Sequence, residues 1–306
     1  MILLFGIPSE PPVAMAQERL AELGERFLML NQRDVEATDL HCRVADGQVE
    51  GWLRAPGMRI RLEEITSVYA RPMDDRLLPE LDGEAPLSPR RLRSRRLHDA
   101  MVAWLDVTPA RVVNRFREMG SNGSKAYQAQ LVQGLGFAVP ETLVTNDPAL
   151  VLEFRSRHSR VVYKSVSATR SIVHELGDGE LDRLDAIRAC PVQFQEYVPG
   201  FDVRVHVVGD EAIATRVDSP AIDYRYAEHA PSGTRLAPFE LPADVADRCR
   251  LLSDRLGLAF SGIDLRFTPD GDVVCFEVNP SPAYSYYEAQ TGQPISLALA
   301  RYLAAG

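Results

Sequence analysis

The chain has 306 residues, 45% of them hydrophobic and 25% charged, with a formal net charge of -9. That length fits two or three packed subdomains, and the composition is that of a globular chain without a disorder signature. The acidic balance argues against a general nucleic-acid binder, which needs a basic face, and no apolar run is long enough to span a bilayer.

Residues 2–7 (ILLFGI) form a continuous apolar run of the kind a buried parallel strand requires. The run lacks a basic segment before it, so it reads as a strand and not as a signal peptide. Val13, Leu20 and Leu23 recur on one side of a helix that Gly24 would stop, and Phe27–Leu30 reads as a second strand. No GxGxxG accompanies this β-α-β opening, so a dinucleotide site is not supported. A further strand is expected over Ile65–Ala70, ending at Arg71-Pro72, and residues 79–90 read as a surface loop. The arginines 90, 91, 93, 95 and 96 then lead into a helix through Met101, Trp104 and Leu105. They fit a solvated helix face, or, with Arg71, a contact for acidic substrate residues.

From about residue 111 the pattern becomes mixed α+β. A helix over Ser124–Leu135 would close at Gly136, and Asp147-Pro148 has the order of an N-cap followed by a first-turn proline. Val161–Lys164 is a short β-branched strand. Two hairpins follow, Val203–Val208 with Ala212–Val217 and Ile263–Thr268 with Val273–Val278. Between them Val245, Cys249, Leu252 and Leu256 keep helical spacing up to Gly257. The four cysteines and six histidines are dispersed, which suits a reducing, cytoplasmic setting and offers neither a zinc cluster nor a Cys-His or Ser-His-Asp constellation.

The second hairpin carries the most chemistry. If Thr268 opposes Val273, Asp264 opposes Glu277, and strand alternation places both acids with Asn279 on one face. Two carboxylates and an amide oxygen are hard donors that suit magnesium, which fills its remaining positions with water and phosphate. Glu277 also lies inside the apolar run VVCFEV, where an unpaired charge is expensive to bury. Arg266 falls on the same face, so a purely structural salt bridge is the competing reading. Lysine is scarce: Lys125 and Lys164 stand against thirty-two arginines. Lys164 ends a buried-looking strand, where a compact ammonium directed at phosphate oxygens explains it better than a snorkelling surface lysine.

Taken in order, Lys125, Val-Val-Tyr-Lys164, Gln-Glu196-Tyr-Val-Pro-Gly-Phe-Asp202-Val-Arg204, Asp223-Tyr-Arg225, Gly-Ile-Asp264 and Glu277-Val-Asn279-Pro-Ser-Pro resemble the ATP-grasp superfamily. More narrowly they are similar to the RimK-like ribosomal-protein glutamate ligases and to the microviridin-type peptide maturases, or graspetide synthetases. The resemblance covers residues 110 to 304 and extends to the tail Tyr-Tyr-Glu288-Ala-Gln-Thr-Gly292. It implies an α/β (α+β) ATP-grasp fold with an N-terminal α/β substrate-facing domain over 1–110, a central α+β subdomain over 111–190 and a C-terminal antiparallel-sheet subdomain over 191–306.

The resemblance also implies roles. Lys125 and Lys164 would hold the phosphates of ATP. Glu196, Tyr197 and Val198 would form the hinge that reads adenine through backbone groups, with Asp202 near the ribose and Arg225 on the nucleotide. Asp264, Glu277 and Asn279 would carry Mg2+, or Mn2+ in its place. Arg204, aided by Arg266, would stabilise the transferring phosphoryl group. The loop after Lys164 departs from the usual glycine-rich form, reading Ser165-Val-Ser167-Ala-Thr169-Arg170-Ser171. The expected partners are ATP and a precursor peptide or small carboxylate, in a dimer or tetramer. The expected reaction forms an ester or amide through an acyl-phosphate, with macrocyclisation of a ribosomal peptide ahead of amino-acid addition. A nucleotide-binding protein without turnover is the alternative of another class.

Overall fold

The computed structural model describes residues 1–166, 172–219 and 233–306, apart from the side chains of Asn122, Lys125 and Ala126. The chain opens with β1 (Ile2–Gly6), whose residues are all buried, then α1 (Pro11–Glu22) and β2 (Phe27–Asn31). Prolines in its first turn start α1; Val13, Ala16 and Leu20 are its buried stripe, and Gly24 leaves it at φ 72°. Leu23 is not part of that stripe. It caps the helix and is largely exposed, because it falls beyond the last turn that faces the sheet.

Next comes an antiparallel three-stranded sheet not anticipated from the sequence, made of β3 (Asp39–Ala45), β4 (Gln48–Ala55) and β5 (Met58–Arg61). Then β6 (Ser67–Arg71), α2 (Pro89–Val107) and β7 (Arg111–Val113) complete a parallel sheet in the order β2-β1-β6-β7. The expected 79–90 loop is shorter than the sequence suggests. Pro79–Leu81 forms a 3-10 turn, and α2 begins at Pro89, capped by the Ser88 side chain.

After two short helical pieces, α3 (Phe116–Met119) and then α4 (Lys125–Gly134), the chain builds a second antiparallel sheet. Its strands are β8 (Thr142–Thr145), β9 (Val161–Ser165), β10 (His174–Glu175) and β11 (Val192–Glu196), in the order β10-β9-β11-β8. Between β8 and β9 runs α5 (Pro148–Arg157), N-capped by Asp147 as expected; α6 (Asp178–Leu181) follows β10. Val151 and Phe154 of α5 pack with Val161 and Phe194 on one face of this sheet.

The largest sheet is antiparallel and five-stranded, ordered β14-β13-β12-β15-β16: β12 (Phe201–Val208), β13 (Glu211–Asp218), β14 (Arg235–Phe239), β15 (Phe260–Phe267) and β16 (Val273–Asn279). The helix α7 (Ala243–Arg255), ended by Gly257 at φ 70°, covers one face. There Val245, Cys249 and Leu252 meet Val203, Val205, Ile263, Leu265 and Val278. The chain closes with α8 (Ser285–Thr291) and α9 (Ile295–Ala304), and α9 shares a core with α1, Val208 and Phe260. The first and last layers are therefore packed together. Among the described residues no helix is long and apolar enough to cross a membrane.

One side chain ties these layers at a point. Asn114, just past β7 and buried, donates from Nδ2 to the Phe260 and Pro280 carbonyls, both at 2.6 Å, and its Oδ1 accepts the Phe260 N–H at 3.0 Å. It joins the end of the parallel sheet to the start of β15 and to the residue just after β16.

Candidate functional site

The face of the five-stranded sheet turned away from α7 is polar at one end. Register pairs Asp202 with Arg266 and Arg204 with Asp264 across β12 and β15, and Asp264 with Glu277 and Gly262 with Asn279 across β15 and β16. Alternation puts all of these on one side, so the expected convergence of Asp264, Glu277 and Asn279 is present. The register assumed at the turn is not: Val273 opposes Phe267 and not Thr268. A bulge between the 264 and 265 positions absorbs the difference, with Phe276 as the extra residue. Because of it, Phe276 and Glu277 both stand on the polar face while Cys275 and Val278 stay in the core.

Two arginine–aspartate pairs of opposite polarity sit side by side here. Arg204 Nη1 lies 2.7 Å from Asp264 Oδ1. Arg266 holds Asp202 in a two-pronged pair, Nε to Oδ1 and Nη2 to Oδ2, each 2.9 Å, and its Nη1 donates to the Val198 carbonyl at 2.8 Å. Its guanidinium also lies 5.1 Å from the centre of the Phe276 ring. Arg266 is thus engaged in fixing Asp202 and the Val198 carbonyl, while Arg204 is the cation paired within the acidic set. Glu196, the last residue of β11, leads into the Tyr197-Val198 segment. The Tyr197 N–H donates to the Arg160 carbonyl at 3.0 Å, and the Arg160 guanidinium stacks 3.6 Å from the Tyr197 ring centre. Among the described residues the Val198 N–H makes no backbone hydrogen bond. A cleft of about 470 Å³ opens beside these groups, lined by Arg160, Tyr197, Asp202, Asp218, Arg235 and Arg266.

Lys164 belongs to the neighbouring sheet. It stands opposite Gln193, on the face away from the Val161–Phe194 core. Lys125 begins α4; its side chain, the whole of Arg225 and residues 167–171 of the glycine-free loop lie outside the described residues.

The donor set fits magnesium in its chemistry. Two carboxylates face each other across one strand pair, with an amide oxygen one pair further on. The Asn279 side chain is oriented by its Oδ1 accepting the Ser281 N–H at 2.9 Å. No group of three His, Cys, Asp or Glu side chains arranged for a metal occurs among the described residues. The set therefore relies on the amide, and suits a cation that keeps other oxygen ligands, not a closed protein cage.

Arg71 and four of the five arginines of the 90–96 run are engaged with neighbouring parts of the fold. Arg71 pairs with Glu10 at 2.6 Å and reaches Ser281 Oγ at 2.8 Å and the Pro282 carbonyl at 3.1 Å. Arg90 pairs with Glu36 at 2.9 Å, Arg91 donates to the Leu81 and Glu84 carbonyls, Arg93 to those of Val35 and Thr38, and Arg95 pairs with Asp75 at 3.0 Å. These four tether the flanking loops to α2.

Sequence reasoning missed Phe276, Asn114 and His206. His206 is two residues beyond Arg204 on the polar face, fully buried, with its ring 4.9 Å from that of Tyr287. Neither ring nitrogen has a hydrogen-bond partner among the described residues. Burial, and after it the Arg204 charge, hold the imidazole well below its ordinary range, so it is neutral in the fold. An unfolded chain binds a proton there below about pH 6.5 and the folded chain does not. Stability should therefore fall as pH drops through that value, by about 1.4 kcal/mol per pH unit from this one group. His206→Phe keeps the ring and should remove that component of the slope, read in urea titrations between about pH 8 and pH 5. An unchanged slope would mean the folded imidazole takes the proton.

No family model matches the sequence, and no curated protein matches it. Solved structures do. The macrocyclase MdnC of Microcystis aeruginosa MRC, bound with its precursor peptide MdnA, is 21% identical with a TM-score of 0.83, over 100% of this chain and 99% of that one. A RiPP-associated ATP-grasp ligase of Chryseobacterium gregarium, in complex with ADP and leader and core peptides, is 21% identical at TM-score 0.84, over 99% and 96%. The ATP-grasp ligase PsnB, with minimal precursor, Mg and ADP, is 27% identical at TM-score 0.82, again over 99% and 96%. The chain shares their fold from end to end.

Proposed function

We propose that this chain, an ATP-grasp fold whose solved relatives are ligases of ribosomally made peptides, is an ATP-dependent ligase that cross-links a precursor peptide through side-chain esters or amides. The observation that carries the reading is the single polar face on which Asp264, Glu277, Asn279 and Arg204 meet beside a hinge-lined cleft. A substrate carboxylate oxygen attacks the terminal phosphorus of ATP and ADP leaves; a hydroxyl or amine then attacks the acyl carbon, phosphate leaves, and the nucleophile loses its proton. Catalysis of this kind rests on positioning and charge stabilisation and needs no protein nucleophile.

In this reading Lys125 and Lys164 hold the nucleotide phosphates, Arg225 contacts the phosphates or another part of the nucleotide, Glu196 to Val198 receive adenine, and Asp202 lies by the ribose. The Val198 N–H is the hinge donor left for the base. Asp264, Glu277 and Asn279 would hold magnesium, which neutralises phosphate charge when bound. Arg204 spreads the charge of the transferring phosphoryl group and of the acyl-phosphate, and Arg266 positions Asp202 and the hinge. Residues 1–110, with the closing strand after them, form the substrate-facing layer; 111–190 and 191–306 form the two halves that enclose ATP. We place the protein in the cytoplasm, where ATP and reduced cysteines are available.

The test is incubation with ATP, magnesium and a precursor peptide from a neighbouring open reading frame. The expected product is lighter by one water per link, with ADP and phosphate released. A gain in mass on adding free amino acids would favour amino-acid addition instead. Nucleotide binding with no ADP formed over a broad panel of carboxylates would overturn the ligase.

A further inference from the structure

Arg204 is held in a place that only a glycine leaves open. Its side chain is 6% exposed, and its guanidinium is drawn to Asp264. The head does not stand over Asp264 alone. It lies across the bare Cα of Gly262, two residues along β15 from Asp264 and on the same face, and faces the Tyr287 ring with Cζ 5.8 Å from its centre. A Cβ built on Gly262 would overlap Nη2, lie 2.5 Å from Cζ and 2.8 Å from Nε. Those three atoms of one side chain are its nearest neighbours.

Gly262 has no positive φ, so its strand geometry is open to any residue. The glycine is not there for the backbone. An alanine would meet no main chain and no packed core atom first, only the movable end of Arg204. We propose that Gly262 is a positioning residue: it sets the place of the Arg204 guanidinium over the γ-phosphoryl site, and any larger residue at 262 expels that guanidinium while leaving the sheet and its acids intact. This inference rests on the ligase reading of the same face.

The test measures affinity for ADP and for a non-hydrolysable ATP analogue in wild type, Gly262→Ala, Arg204→Ala and the double variant, all with magnesium. Only the analogue offers a γ-phosphoryl group to Arg204. Gly262→Ala should bind ADP as wild type does and bind the analogue more weakly by roughly tenfold to a hundredfold, the effect of losing a charged hydrogen bond. It should melt within a few degrees of wild type. In the Arg204→Ala background the same change should have no further effect, since a residue acting only through another contributes nothing once that other is gone.

Equal analogue binding by Gly262→Ala and wild type would overturn the inference alone. So would parallel loss of ADP and analogue, or additive losses in the double variant, either of which marks a general disturbance of the sheet. Failure of wild type to bind either nucleotide would overturn the ligase reading and this inference with it.

Discussion

Glu277→Gln should abolish most turnover. Glu277 faces Asp264 directly across β15 and β16, and Asp264 also has the Arg204 guanidinium at 2.7 Å, so the two acids and one arginine share a net negative charge that suits a divalent cation. The substitution keeps the size of the side chain, and Cys275 and Val278 beside it stay in the core. What it takes away is one of the two carboxylates that would attract magnesium. Stabilisation of phosphoryl charge by a metal amounts to several kcal/mol, so kcat should drop on the order of a hundredfold to a thousandfold. ADP release with precursor peptide, measured across a magnesium series, reads the loss. Near-normal turnover would mean that the acidic face holds no metal and that its acids serve only the salt-bridge ladder.

Asn114→Ala should be strongly destabilising although no apolar core residue is removed. Three buried backbone groups, the N–H and carbonyl of Phe260 and the carbonyl of Pro280, lose their partner together. A buried polar group left unsatisfied costs about 1–3 kcal/mol, and these three share one cavity, so a total of roughly 3–5 kcal/mol is expected. Urea denaturation measures it. Turnover should fall as well, because Pro280 directly follows Asn279 and its carbonyl is one of the anchors lost. A loss below about 1 kcal/mol would show that water replaces the amide and that the layers are joined by their apolar core alone.

The parts legible in the sequence are those where one periodicity acts unopposed. The run at 2–7, the Val13–Leu20 stripe, the Asp147 cap and the Val245–Leu256 helix all reappear close to their expected bounds. The acidic hairpin was legible for a different reason: Glu277 is a charge inside an apolar strand, and such a residue needs a partner. The sheet of β3 to β5 was missed although Asp46-Gly47 carries a strong hairpin signal, with both residues at positive φ in the structure. Alternation marks these strands too, Leu40, Cys42 and Val44 set against Asp39, His41 and Arg43, but β3 buries little: Val44 is 67% exposed, and the outer side carries His41 stacked on Trp52 and Arg43 paired with Glu50. The bulge at Phe276 could not be read at all. In V-V-C-F-E-V every residue but one is apolar, and alternation says nothing about which of them is extra. The arginine run shows a further limit, since a guanidinium that tethers a loop and one that faces water have the same sequence.

That extra residue has a consequence for how such a cleft can diversify. Without Phe276, Cys275 would still meet Leu265 and Glu277 would still meet Asp264, because the strand rejoins its partner on either side of it. The aromatic ring is thus supernumerary to the pairing pattern, half-buried on the polar face, with the Arg266 guanidinium 5.1 Å from its centre. A residue of different size or polarity can therefore stand at 276 while the pairing that sets Asp264 opposite Glu277 is kept, so the side chain beside the acids can vary without a change of register.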